Sequence, residues 1–178
     1  MNFETLFRAI SPEEIVDNVF VLTGKVFPVV TVGKEGNYNS MTASGGGMCV
    51  LFRKPTTMLI FPSNRYTLEL IKHERSYTLS YFSDDYRAQV LFLGSKSGRD
   101  SRKMQEVELT GIATPLGNMS FREARLIVEC TLTQITVPVY PDDFYSQEAI
   151  AYMHEPYKDL GEHRQYVFGE ITHVWVKK

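Results

Sequence analysis

Residues 94–102, GSKSGRDSR, carry the plainest chemistry in this sequence. Ser95, Ser97 and Ser101 offer hydroxyls, and Lys96, Arg99 and Arg102 offer positive charge. Gly94 and Gly98 let successive backbone N–H groups curl toward one point. Together these groups suit an anion, above all a phosphate. A helix expected over residues 100–107 would aim its first amides at the same place. Arg65, in SNRYT, stands at a second strand-to-helix junction and has the planar fork that grips a phosphate through two hydrogen bonds. A solvated charged loop has the same composition, so these residues alone leave both readings open.

Residues 38–50, YNSMTASGGGMCV, form the second stretch with chemical possibilities. Met41, Thr42, Ala43 and Ser44 put mostly small side chains where a packed sheet prefers valine or isoleucine. Gly45, Gly46 and Gly47 allow unusual backbone angles and close approach. A flat aromatic cofactor would fit against such a surface. A glycine-rich strand connection without a ligand is the simpler reading of this stretch alone.

Several common chemistries lack residues to carry them. The sequence has no phosphate-binding Walker loop, no GxGxxG after a strand and no GxSxG elbow. His73, His154, His163 and His173 are scattered and form no metal-type cluster, so no metal is expected. The 19 basic and 21 acidic residues leave a net charge of −2, which argues against a general nucleic-acid binder. Cys49 and Cys130 are too few for a disulfide scaffold, lack zinc spacing and sit in apolar runs, so both read as buried thiols. The first ten residues have no apolar signal core, and no stretch reaches the length of a membrane span. A cytoplasmic protein without membrane contact is the expectation.

The elements that must hold these stretches are mostly strands. Ser11, Pro12 and Glu14 read as a capping box opening a short helix. Residues 19–21 and 28–32 read as strands, and Lys34, Glu35, Gly36 and Asn37 as a hairpin turn. Residues 28–61 then form a meander, broken by Pro55. Helical spacing covers 65–73, with Leu68 and Ile71 on one side. Residues 77–82 return to strand, and Ser83 or Asp84 caps a helix carrying Val90 and Leu93. Residues 119–139 read as one long strand whose alternation at Phe121, Glu123, Arg125, Ile127 and Glu129 predicts a wet face. A helix is expected over 141–151 and a final strand over 165–176. The 178 residues are enough for a single domain, 1–178. Short strands with turn residues and few helices predict a mainly β fold, an antiparallel barrel or sandwich with peripheral helices.

Three blocks in this order, NSMTASGG (39–46), SNRYTLELI (63–71) with YTLSYF (77–82), and GSKSGRDSRKM (94–104), resemble the flavin reductase-like family. EHRQYVFGEI (162–171) also fits it. The resemblance implies an antiparallel split β-barrel of Greek-key type that binds FMN. It implies that Thr42, Ala43 and Ser44 follow the flavin, with Asn39 and Met41 as neighbours. It assigns the phosphate to Arg65, Ser95, Lys96, Ser97, Gly98 and Arg99, and sets His163 close to the flavin. Many relatives carry tryptophan where this chain has Gly45, which alters one wall of the expected pocket. The lone Trp175 reads as core packing. The implied activity is electron transfer from NAD(P)H to flavin or onward to an acceptor, in a homodimer with the flavin at the subunit interface. A non-enzymatic FMN carrier served by a redox protein, and a cofactor-free relative, are the alternatives. Hydride transfer demands no dedicated acid or base, so no catalytic residue is singled out.

Overall fold

The computed structural model describes residues 2–99, 102–154 and 163–178. Its strands are β1 (Phe7–Ile10), β2 (Val29–Lys34), β3 (Asn37–Thr42), β4 (Gly46–Leu51), β5 (Lys54–Pro62), β6 (Ser76–Tyr81), β7 (Gly111–Ala113), β8 (Met119–Phe121), β9 (Leu126–Ile135) and β10 (Arg164–Lys177). Its helices are α1 (Phe3–Leu6), α2 (Val19–Val21), α3 (Tyr66–Glu74), α4 (Arg87–Ser95), α5 (Lys103–Glu106) and α6 (Gln147–His154). Asp100, Ser101 and Glu162, which belong to stretches singled out above, lie outside the described residues. No helix among the described residues is long and apolar enough to cross a membrane.

Seven strands run in the order β3-β2-β6-β9-β10-β5-β4, and β1 joins as an eighth by pairing with β10. All the pairings in this sheet are antiparallel. β3 and β4 are consecutive in the chain yet lie at opposite ends of this order. Only Ala43, Ser44 and Gly45 separate them, and so short a link spans at most about 14 Å. The sheet must therefore curl until its two ends approach. The result is the mainly β, antiparallel split barrel expected above. β10 supplies the split at the other side: residues 164–170 pair with β5, while Val174–Lys177 pair with β1. Register shifts at Phe168/Gly169 and Ile171/His173 bend it between these partners.

Gly169 meets a side chain from inside the barrel. A Cβ there would stand 2.2 Å from Tyr77 Oη. Tyr77 is fully buried and its hydroxyl shares a 2.8 Å hydrogen bond with Thr57 Oγ1. Burial pushes the Tyr77 hydroxyl well above its ordinary pKa. Leu59, Phe61, Leu68, Ile71, Leu79 and Val128 complete the same core. A second core, with Phe3, Val29, Phe82, Leu93 and Ile127, lies against the outer face.

The two cores explain where expectation and structure differ. The single strand expected over 119–139 is two strands, β8 and β9, joined by a turn through residues 122–125. Glu129 has no wet face: it is fully buried, because β9 carries a core on each side. Its carboxylate accepts from Thr114 Oγ1 (2.6 Å), Asn118 Nδ2 (2.8 Å) and Trp175 Nε1 (3.2 Å). Trp175 packs edge-on against Phe3, as expected of a core residue. Residues 19–21 are helix, not strand, because Asn18 Oδ1 accepts the amides of Phe20 and Val21. The helix over 141–151 is a 3-10 turn at Pro141–Asp143 followed by α6. The capping box at Ser11 and Glu14 forms, as do the 34–37 hairpin and α3. Cys130 is buried and its thiol is pushed up to about 12, but Cys49 is exposed because β4 is an edge strand.

Substituting Gly169→Ala should cost about 1–3 kcal/mol, since the new methyl overlaps Tyr77 in a packed core. Urea denaturation measures it. Tyr77→Phe on that background should recover part of the loss, and an unchanged midpoint for Gly169→Ala would show the contact to be slack.

Candidate functional site

The end of β5, the start of α3 and the end of α4 converge beside β3. Arg65 occupies the N-cap position of α3 with extended backbone, and its carbonyl accepts the Leu68 amide at 3.0 Å. α4 ends at Ser95, and Lys96 turns the chain out with φ −116° and ψ 145°. The next residues fold back over Asn39, and the chain re-enters helix at Lys103. A cleft of about 220 Å³ is left between them.

Four cations line this cleft: Arg65, Lys96, Arg99 and Lys103. No carboxylate is among its described lining residues. Arg99 reaches out to Glu69 and lies 5.3 Å from the Tyr66 ring centroid. Lys96 bonds Glu106 at 2.7 Å on the exposed side. Lys103 is different, with only 2% of its surface exposed. Its ammonium donates to the carbonyls of Lys96 (2.8 Å) and Leu93 (3.2 Å), close to the C-terminal end of α4. An ammonium has three donors, so one is left for the cleft. Burial, and secondly the nearby Arg65 charge, lower its pKa to about 8. A buried cation facing a second cation is a poor resting arrangement and a good receptor for a dianion.

Asn39 forms the back wall. It is 5% exposed, and its Nδ2 donates to Thr67 Oγ1 at 2.8 Å. Its Oδ1 has no hydrogen-bond partner among the described residues. Gly98 lies against it so closely that a Cβ would stand 1.9 Å from Oδ1. Only glycine lets the loop approach this far.

Of the twelve residues that the resemblance assigns to the cofactor, seven meet around one cleft: Asn39, Met41, Arg65, Lys96, Ser97, Gly98 and Arg99, with Gly94 of the same loop beside them. Five do not line it. The Thr42 hydroxyl donates to the Val90 carbonyl, and Ala43 is buried with its amide on the Pro28 carbonyl at 2.9 Å. Ser44 is exposed at the seam between β3 and β4. Ser95 Oγ donates to the Phe92 carbonyl at 2.8 Å. His163 lies beside Tyr140, ring centroids 5.2 Å apart, and its carbonyl accepts the Ser63 amide at 3.1 Å. Arg102, counted with the loop's charges, lines a neighbouring cavity instead. Sequence reasoning missed Lys103. The signal was present, since Lys103 stands in the same block, at the first position of the following helix.

The fold is thus a split antiparallel barrel with a cationic cleft beside β3, and no carboxylate stands among the described lining residues of that cleft. The chain belongs to the flavin reductase-like family: the model for the flavin reductase like domain matches residues 22–178. No curated protein sequence matches it. Solved structures share the fold. An FMN-binding protein from Thermus thermophilus, with bound 1-cyclohex-2-enone, is 21% identical with a TM-score of 0.65, over 95% of this chain and 78% of that one. A flavoredoxin of Desulfovibrio vulgaris is 19% identical with a TM-score of 0.65, over 94% of this chain and 76% of that one. An FMN-binding domain of a flavin reductases-like enzyme from Shewanella baltica is 13% identical with a TM-score of 0.65, over 96% and 76%.

An anion in the cleft stabilises the Lys103 ammonium, so its pKa rises on binding from about 8 toward the ordinary lysine range. Binding then takes up a proton above pH 8 and weakens as pH rises, by about tenfold per unit at most for one proton. Titrating a phosphate ester at pH 7 to 10 reads this slope. Lys103→Met should flatten it. A slope that survives the substitution removes Lys103 from the site.

Proposed function

We propose that this chain is an FMN-binding oxidoreductase of flavin reductase type, built as one domain over residues 1–178. The observation that carries the reading is a cleft lined by four cations, with no carboxylate among its described lining residues, beside the seam at residues 42–46. The donors fit a phosphate monoester, whose charge and oxygens match cationic N–H groups. When bound, the flavin supplies redox chemistry, accepting electrons from NAD(P)H and delivering them to an acceptor. The chain's own residues bind and orient. Arg65 and Lys103 hold the phosphate from the walls, and Ser97 and Gly98 offer a hydroxyl and a backbone amide from the loop. Thr42 cannot swing away, because its hydroxyl is tied to α4. With the Ala43 amide on the Pro28 carbonyl, this holds residues 42 and 43 in place beside the cleft, where the rest of the cofactor would extend.

The neighbouring surface supports a homodimer. β4 is a sheet edge, paired among the described residues with β5 alone, and Val50 and Phe52 on its hairpin are 73% and 76% exposed. Phe20, on α2 beside β4, is 87% exposed. Large apolar residues gathered at an open edge mark a contact surface. A second copy there would cover the seam and close the cofactor site. We take the cytoplasm as the compartment, on two free thiols, one of them exposed.

Arg65→Ala and Ser97→Ala should weaken FMN by about tenfold or more, as loss of a charge-assisted bond implies, and leave riboflavin nearly unchanged. Flavin fluorescence quenching gives both constants; equal losses for the two ligands would take these residues out of the phosphate role. Anaerobic bleaching by NADH or NADPH with steady turnover supports the reductase, whereas reduction only by a redox protein makes the chain a carrier.

Phe52→Asp should convert a dimer to monomer in analytical ultracentrifugation and weaken FMN. A wild-type chain that sediments as a monomer at micromolar concentration would end the dimer reading.

A further inference from the structure

Two of the described residues lining the cationic cleft carry amines, Lys96 and Lys103. Lys96 is half exposed and pairs with Glu106 at 2.7 Å. Lys103 is buried, and among the described residues its amine bonds only backbone carbonyls. We propose that Lys103 is a modification site for acyl phosphates, whose phosphate the cleft binds and whose acyl group passes to the lysine amine. The inference rests on the anion role of the cleft set out above.

The two carbonyls orient the amine. Nζ donates to the Lys96 carbonyl at 2.8 Å and to the Leu93 carbonyl at 3.2 Å. A neutral amine has two N–H groups and one lone pair. With both N–H groups held by these carbonyls, the lone pair takes the direction that the third proton occupies in the ammonium. A desolvated lysine beside another cation is an activated nucleophile. Burial, then the Arg65 charge, lower the Lys103 pKa to about 8, so at pH 8 it carries roughly a hundredfold more free amine than an ordinary exposed lysine.

The cleft supplies the other half. Its volume of about 220 Å³ has room for a phosphate and a short acyl group, and Arg65, Lys96 and Arg99 line it with Lys103. Binding the phosphate there brings the adjoining carbonyl carbon to an amine of the same cleft, and the cations favour the charge that collects on the departing phosphate. The lone pair attacks that carbon and a C–N bond forms. The C–O bond to phosphate breaks, and its electron pair leaves with the phosphate. The ammonium gives one proton to water before attack and a second as the amide forms. Nothing is oxidised or reduced. The amide product keeps one N–H, so one of the two carbonyls loses its donor and the cleft loses a charge. Acylation therefore weakens the anion site.

Timed reaction of the whole chain with acetyl phosphate at pH 8, read residue by residue by peptide mass spectrometry, tests this. Lys54, at the start of β5 and bonded to Glu170 at 2.7 Å, is the surface reference. Lys103 should acetylate about tenfold faster than Lys54 or more, as a positioned and activated amine implies. Its rate should saturate with acetyl phosphate, while that of Lys54 rises linearly. Inorganic phosphate should slow Lys103 and leave Lys54 unchanged. N-acetylimidazole transfers the same acetyl group without a phosphate, and its reaction with Lys103 should not saturate. Lys103 that reacts no faster than Lys54, or whose rate rises linearly with acetyl phosphate, overturns the proposal. Selective acetylation blocked by inorganic phosphate but not by FMN would reject the flavin reading and retain the modification site. FMN binding to a chain whose Lys103 stays unmodified would do the reverse.

Discussion

The three-residue link between β3 and β4 constrains everything else. It joins the two ends of a seven-strand path, so the sheet can exist only in curled form. Curling brings the ends together without bonding them. An open seam results, bordered by exposed backbone and by Ser44. Small residues are required there because the link passes between two edges and over α4. A Cβ at Gly94 would already stand 3.3 Å from Thr42 Cβ, and a Cβ at Gly46 would stand 2.0 Å from the Met58 carbonyl oxygen.

The same curl places the charges. β5 ends next to the point where α4 ends, so Arg65 and the 96–99 loop face each other across β3. Lys103 then ties the loop down from below, through the carbonyls of Leu93 and Lys96. A lysine this deeply buried is costly unless its charge has a use. Its bonds brace the loop, and the ammonium lies at the floor of the cationic cleft.

The strands were legible where one face meets a core and the other does not. The hairpin at 34–37, α3 and the last strand follow from alternation, caps and turn residues. Reading failed where both faces are covered. β9 shows an apolar run with one glutamate, and local pattern assigns that glutamate to water. Only the second core and the Thr114–Asn118–Trp175 donors make its burial tolerable. Residues 19–21 are a similar case, since β-branched composition yielded to the Asn18 cap.

By itself the sequence determined the class of fold and the clustering of donors over residues 94–102, because turn types, alternation and neighbouring donors are local properties. It also supplied the family through three ordered blocks. Tertiary structure decided which of those donors share a cleft. It drew in Lys103, left Ser95 and His163 outside, and sent Arg102 to a different cavity. The reason is that a side chain's direction depends on how distant strands and helices cross, and no short stretch of sequence carries that angle.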